Sequence, residues 1–340
     1  MKVFKIFIIL LFPSWIYSQV GGESVYNFLN ISTSATQSAL GGKSITLADD
    51  INQPLWNPSI INENLNNKLA LNYTSYLSGI NIGSAVFATK ISRRFGMLHA
   101  GIKYVNYGNL IESDEFGAIT GNFSANDFAL SVGYAYNFPF TNIFIGANVK
   151  LIQSSIGNFS SSAIATDIGI LYHNIYKPYL ITLVVRNIGT QVSSFINESE
   201  NLPMEIILGG SYQLVNVPIK WHFTIDNLQH WNISFSNPSS QNSDIEGNIS
   251  KENISFFNNA FRHFIVGAEL FPDSVINLHF GYNFRKSQEY KLQNIRTFGG
   301  LSFGFGLKMN NFKFNYAYSK VHTASNVSTF SLQINLDKNR

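Results

Sequence analysis

The chain has 340 residues, a formal net charge of +3 and no cysteine; 45% of it is hydrophobic and only 13% charged, against a usual charged share of roughly 25%. The lack of thiols excludes disulfide frameworks, thiolate zinc sites and cysteine nucleophiles. The small net charge, with no basic run interleaved with aromatics, argues against nucleic acid as a partner.

Taken in chain order, Lys2 and Lys5 precede an apolar run from Ile6 to Phe12 and a small-residue cleavage site at Ser18, so residues 1–18 read as a signal peptide. That run is well short of the ~20 residues a spanning helix needs, and no later stretch reaches that length. Residues 19–68 are rich in Asn, Ser, Gly and Ala and lack sustained alternation; they read as a plug or hatch segment tucked into a lumen.

From 69 to 340 the pattern changes to short runs in which apolar and polar residues alternate. In 219–228, Trp221, Phe223 and Ile225 oppose Lys220, His222, Thr224 and Asp226; in 311–320, Phe312, Phe314, Tyr316 and Tyr318 oppose Lys313, Asn315, Ala317 and Ser319. Successive strand residues point to opposite faces, so each run has one greasy and one wet wall. The other runs are 69–78, 80–90, 96–107, 127–137, 142–154, 164–173, 179–188, 205–214, 262–270, 275–284, 297–307 and 328–336. Each is about ten residues, which at ~3.3 Å per residue and a ~40° tilt spans a ~25 Å apolar band. Connections alternate between tight turns, several carrying proline (Pro139, Pro178, Pro218, Pro272), and longer segments at 108–126, 189–204 and 229–261. These features predict an all-β fold: a transmembrane antiparallel β-barrel of about fourteen strands, turns periplasmic and long loops outside, with an N-terminal plug. Tyr73, Tyr76, Tyr104, Tyr107, Tyr134, Tyr136, Tyr172, Tyr179 and Trp221 stand near strand ends and are expected in the interfacial girdles.

Chemistry is sparse. The seven histidines show no helical ligand spacing, and polar lining accounts for them. A hydrolase would need Ser, His and an acid assembled across strands. Asp49 and Asp50, or Glu112, Asp114 and Glu115, are too few for the six to eight oxygens calcium takes. The expectation is therefore no catalytic residue, no metal and no cofactor. Asn57, Pro58 and Ser59 are the plug or hatch candidates, although Asn-Pro also simply fixes a turn. Trp231, Phe235, Phe256, Phe257 and Phe261, in the longest loop, are candidates for partner binding, because aromatics supply interface anchors; a loop folded onto its own barrel mouth would look the same.

Ala39-Leu40-Gly41-Gly42, Asp49-Asp50 and Trp56-Asn57-Pro58-Ser59 resemble the N-terminal signature of the FadL/PorV-type barrel superfamily, with Ser59 where Ala is usual. Residues 21–29 (GGESVYNFL), 101–108 (GIKYVNYG), 123–127 (FSAND) and 186–191 (RNIGTQ) more specifically resemble the PorQ family of the type IX secretion system of Bacteroidetes. The resemblance implies a non-enzymatic outer-membrane scaffold. It would hold a PorZ-like surface protein, with PorU and PorV as further partners, amid outer-membrane lipid and lipopolysaccharide while cargo is joined to anionic lipopolysaccharide. A FadL-like transporter of hydrophobic or small substrates is the alternative.

Overall fold

The computed structural model describes residues 24–92, 96–138, 141–174, 176–196, 198–233, 242–243, 249–250, 255–290, 298–322 and 325–337. The signal-peptide reading of 1–18 and the candidate Phe235 lie outside them.

Fourteen strands form one closed ring. In chain order they are β1 (Lys68–Ser75), β2 (Asn81–Ser92), β3 (Gly96–Ser113), β4 (Ile119–Asn137), β5 (Ile143–Ile156), β6 (Phe159–His173), β7 (Tyr179–Ser193), β8 (Glu205–Gln213), β9 (Ile219–Ile225), β10 (Phe264–Leu270), β11 (Ile276–Asn283), β12 (Leu301–Met309), β13 (Phe312–His322) and β14 (Ser325–Asn335). Every strand pairs antiparallel with its sequence neighbour, and β1 closes on β14 from Lys68 opposite Asn335 to Ser75 opposite Ser328. Closure leaves no edge, which is what a backbone surrounded by hydrocarbon requires.

Alternation sets the two faces as expected. On β4, Phe128, Leu130, Val132, Tyr134 and Tyr136 face outward while Asp127, Ala129, Ser131, Gly133 and Ala135 are buried. Above that belt the outward positions turn polar, at Asn126, Ser124 and Asn122. The segment 108–126, expected as a long loop, is instead mostly ladder: β3 and β4 continue to Ser113 and Ile119. Outside the apolar band both faces of a hairpin meet water, so it carries no hydrophobic period to reveal it.

The strands differ in length. β4 has 19 residues and β9 has 7, or about 48 Å and about 18 Å of height at ~3.3 Å per residue and ~40° tilt. The tall wall, β3–β7, projects beyond a ~25 Å apolar band; the low wall, β8–β12, does not fill it. Two short helices, α2 (Phe256–Arg262) and α3 (Phe284–Glu289), sit at the long-loop rim of the low wall, in the β9–β10 and β11–β12 connections.

Residues 24–67 lie inside the ring. They run from the long-loop rim, where Val25 N–H donates to Asn201 O, to the short-turn rim, where Asn66 accepts from Lys90 N–H. A short helix, Ala35–Ala39, capped by Ser34, and a string of 3₁₀ turns carry the chain down. Ile45, Ile51, Leu55, Trp56, Ile61 and Leu65 share an apolar cluster with Val86, Val184 and Ile207 of the wall. Two tyrosines expected in the girdles belong to this interior instead. Tyr76 and Tyr107 pack against Tyr26, Phe28 and Leu29, and Tyr107 donates to Asp127 at 2.5 Å. Tyr107 follows a register shift between Asn106 and Asn109, at the end of the belt where both faces carry aromatics.

Candidate functional site

Lys103, Lys150, Asp167 and Arg186 of the tall wall turn inward, and each meets the inner segment or another charge. Arg186 of β7 is 1% exposed. It donates to Leu29 O at 3.1 Å, to Asn30 at 3.3 Å and to Glu205 at 3.4 Å, and its guanidinium lies 3.6 Å from the Trp56 ring centroid. Glu205 also takes the Lys43 ammonium, which reaches Asp226 at 2.7 Å. Beside them Lys150 pairs with Asp167 at 2.7 Å and donates to Asn187 at 2.9 Å. Asn187, at φ 57°, gives its own N–H to Asp167 and its amide to Pro203 O; Asn is among the few side chains that tolerate the left-handed region. Lys103 of β3 holds the carbonyls of Phe28 and Ile31. Buried charges persist only when paired and hydrogen-bonded, and Leu29, Trp56, Lys103 and Arg186-Asn187 among these contacts fall in segments that carried the family resemblance, whereas Lys43, Lys150, Asp167, Glu205 and Asp226 do not.

Asn57, Pro58 and Ser59 are wholly buried against the inner wall. Pro58 opens a 3₁₀ turn, and Asn57 caps it, accepting from Ser59 N–H at 3.1 Å and Ser59 Oγ–H at 2.5 Å. The Asn57 amide donates to Ile45 O and to Thr182 of β7. The turn is seated where strand neighbours lack side chains: a Cβ at Gly146 would stand 2.3 Å from the Pro58 carbonyl, and one at Gly169 2.7 Å from Asn57 Oδ1. Asn57-Pro58-Ser59 is thus a turn that also docks the inner segment on the wall.

On the low wall, beside the Lys43 pairs with Glu205 and Asp226, the segment is held mainly by shape. A Cβ at Gly281 would lie 2.2 Å from Gly41 N and 2.4 Å from Leu40 C; Gly267 faces Leu40 and Gly304 faces Ala39. Gly41 and Gly42 adopt φ of 93°, which L side chains rarely do. Asp50 is buried, accepting from Ser34, Asn52 and Gln333. Asp114 organises the β3–β4 turn through the N–H groups of Phe116 and Ala118.

His222, Glu269 and His279, on β9, β10 and β11, form a second buried group. Glu269 lies 3.6 Å from His222 Nε2 and 3.4 Å from His279 Nε2, and His222 Nδ1 is 2.7 Å from Thr46 Oγ1. This has the order of hydroxyl, imidazole and acid, but Thr46 and His222 are sealed between segment and wall, with Thr46 Cγ2 pressed on Gly209. A reacting carbonyl has no space there. The strand pattern placed these side chains in the lumen; which ones touch depends on ladder register, which no single strand encodes.

At the long-loop rim, Phe256 and Phe257 of α2 are 65% and 73% exposed, Phe261 56% and Trp231 48%. Trp231 stacks on His263 and Phe256, and Phe261 meets Phe264 and Phe284. The base of the loop is fixed: His263, 1% exposed, bridges Asp226 O at 2.6 Å and Trp231 O at 3.0 Å, and Asn259 donates to Trp231 O. The loop base folds onto the barrel mouth while its aromatic faces remain open to solvent.

No family model and no curated protein matches the sequence. Solved structures do resemble the fold. The Ralstonia pickettii toluene transporter TbuX aligns at a TM-score of 0.54 and 12% identity, covering 91% of this chain and 100% of that one. A Pseudomonas aeruginosa FadL homologue aligns at 0.52 and 9%, covering 90% and 99%, and the monoaromatic hydrocarbon channel TodX at 0.50 and 13%, covering 88% and 96%. At such identities the likeness speaks to fold alone: this chain is a closed fourteen-stranded barrel of the FadL type, an architecture of bacterial outer membranes.

Proposed function

We propose that this protein is a non-enzymatic outer-membrane component of the type IX secretion system, anchoring a PorZ-like surface partner through its extracellular loops while cargo is joined to anionic lipopolysaccharide. The observation that carries the reading is the pinned but open aromatic group of Trp231, Phe256, Phe257 and Phe261 on the long-loop rim. Large aromatics in a fixed frame supply interface anchors at little entropic cost. Among the residues of the resemblance, Arg186 helps to hold the inner segment in place through Leu29 O, Trp56 and the Glu205 pair. In this reading residues 19–68 are a permanent filling, with Asn57-Pro58-Ser59 as its latch, and PorU and PorV join through the same partner.

Replacing Phe256, Phe257 and Phe261 together with serine tests it. The barrel is expected to insert normally, run as a heat-modifiable band and lose the partner from the membrane fraction. Undiminished partner retention by the inserted triple variant would sink the reading.

One observation favours transport as a second reading. An inner polar cavity and an outer apolar groove both reach Leu301, Ser302 and Lys320, which makes the wall thin at that point. Transport requires substrate flux in reconstituted vesicles; the anchor requires none.

A further inference from the structure

β12 begins at Leu301, and its ladder with β13 starts at Ser302 opposite Ser319. Among the described residues the β12–β13 ladder goes no further than this pair, and the low wall is notched beside Lys320 at the long-loop rim. Outside the notch is an apolar groove of about 700 Å³, lined by Trp221, Val266, Phe280, Tyr282, Phe303 and Tyr318. Inside is a polar cavity of about 310 Å³. The basic side chains lining it are Lys43, Arg285, Lys286 and Lys320, and no acidic one lines it.

The charges do not balance. Lys43 is held by Glu205 and Asp226, and Arg285 approaches Glu289 at 3.5 Å. Lys286 and Lys320 have no carboxylate partner among the described residues. Lys286 belongs to α3, with its ammonium over Gly42, where an added Cβ would be 3.6 Å away. Burial first, then Lys43 and Arg285, push its pKa down to about 8. Glu289 and Asp226 pull the other way without pairing with it, so Lys286 is a half-buried ammonium among like charges, a setting that favours an added anion.

We propose that the notch binds an anionic amphiphile of the outer leaflet, with its phosphate held between Lys286 and Lys320 and its acyl chain in the groove. The apolar groove buries the chain's methylenes, and two ammonium groups supply charge-assisted hydrogen bonds to phosphate oxygens. Lys320 lines both spaces, and its long stem lets the ammonium reach from groove to cavity. This inference stands apart from the secretion reading, because it concerns the β12–β13 notch and not the aromatic rim.

The test is native mass spectrometry of the full-length barrel in detergent. The probes are diphosphoryl lipid A, its fully dephosphorylated form and inorganic phosphate. Diphosphoryl lipid A is expected to bind one-to-one, the dephosphorylated form about ten-fold more weakly, and Lys286→Gln/Lys320→Gln to lose a similar factor. Ala268→Trp, which fills the groove, should weaken lipid A and leave phosphate unaffected. Wild-type affinity for diphosphoryl lipid A should fall from about pH 7 to about pH 9 as Lys286 deprotonates. Equal retention of the phosphorylated and dephosphorylated forms overturns the proposal. So does inorganic phosphate displacing lipid A at comparable concentration, which would name a free anion as the ligand. Should the double variant fail to fold, Lys320→Gln alone and the wild-type pH series decide the matter.

Discussion

The tall and low walls of this barrel hold the same inner segment by different physics. Along β3–β7 most of the contacts are charges and amides, with Lys103 on main-chain carbonyls, Arg186 on Leu29 O and Trp56, and Asn187 on Asn30, the Lys150–Asp167 pair bracing the wall behind them and Gly146 and Gly169 seating the Asn57–Ser59 turn. Along β8–β12 they are mostly glycines, with Gly267, Gly281 and Gly304 letting the Ala39–Gly41 backbone lie directly on the strands. The first device depends on pairing, so removing one member leaves a charge stranded. The second depends on absent side chains, so any addition collides with backbone that cannot rotate away. Each wall carries a minor share of the other device, at Gly146 and Gly169 on the tall side and at the Lys43–Glu205 pair on the low side, but the main failure is by subtraction on one and by addition on the other.

The sharpest break is Lys150→Met. It strands Asp167, wholly buried, and is expected to cost about 3–5 kcal/mol, measured as a lower guanidinium midpoint for loss of the heat-modifiable band. Lys150→Met/Asp167→Leu should recover much of that loss, because a matched apolar pair replaces a matched ionic one. A double variant no better than the single one would mean that Asp167 acts mainly through the Asn187 N–H and not through its charge.

Gly281→Val probes the opposite wall. The added Cβ meets Gly41 N and Leu40 C, both backbone, so the segment must lift, at about 1–3 kcal/mol. Limited proteolysis of folded barrels should then cut within residues 35–45, while Lys150→Met exposes the tall-wall contacts instead. Gly83→Ala is the control, since nothing lies within 4 Å of its Cβ position. Equal proteolytic patterns from Gly281→Val and Lys150→Met would dissolve the distinction between the walls.

How much of this division the sequence reveals follows from what sets each contact. Alternation in Phe312–Tyr318 or Trp221–Ile225 discloses the wall because lipid imposes one period on every strand it touches. The same rule assigns Lys150, Asp167, Arg186 and Glu205 to the wet face. It does not say that Lys150 meets Asp167, since that contact arises from β5–β6 register, Asn148 opposite Asp167. The glycine seats leave no mark in the strand pattern, because the partner backbone, residues 39–42, is more than two hundred residues away in sequence. Trp56-Asn57-Pro58-Ser59 was legible as a turn, whereas its seat on Gly146 and Gly169 was not. Above the apolar band, as at 108–126, the period vanishes and the ladder went unread.

The mildest probe separates charge from geometry within the tall wall itself. Arg186→Lys keeps the positive charge beside Glu205 but loses the planar fork that serves Leu29 O and Asn30 while stacking on Trp56. Guanidinium stacking on a desolvated indole is worth about 2 kcal/mol, and an ammonium at that site retains the ion pair without the fork. The expected loss is about 1–2 kcal/mol, with Trp56 emission moving to longer wavelength as the ring loses its cover. If Arg186→Lys were instead as damaging as Lys150→Met, the segment would be held by the precise shape of its charged contacts. The tall wall would then work by fit, as the glycine wall does, and the contrast would reduce to polarity.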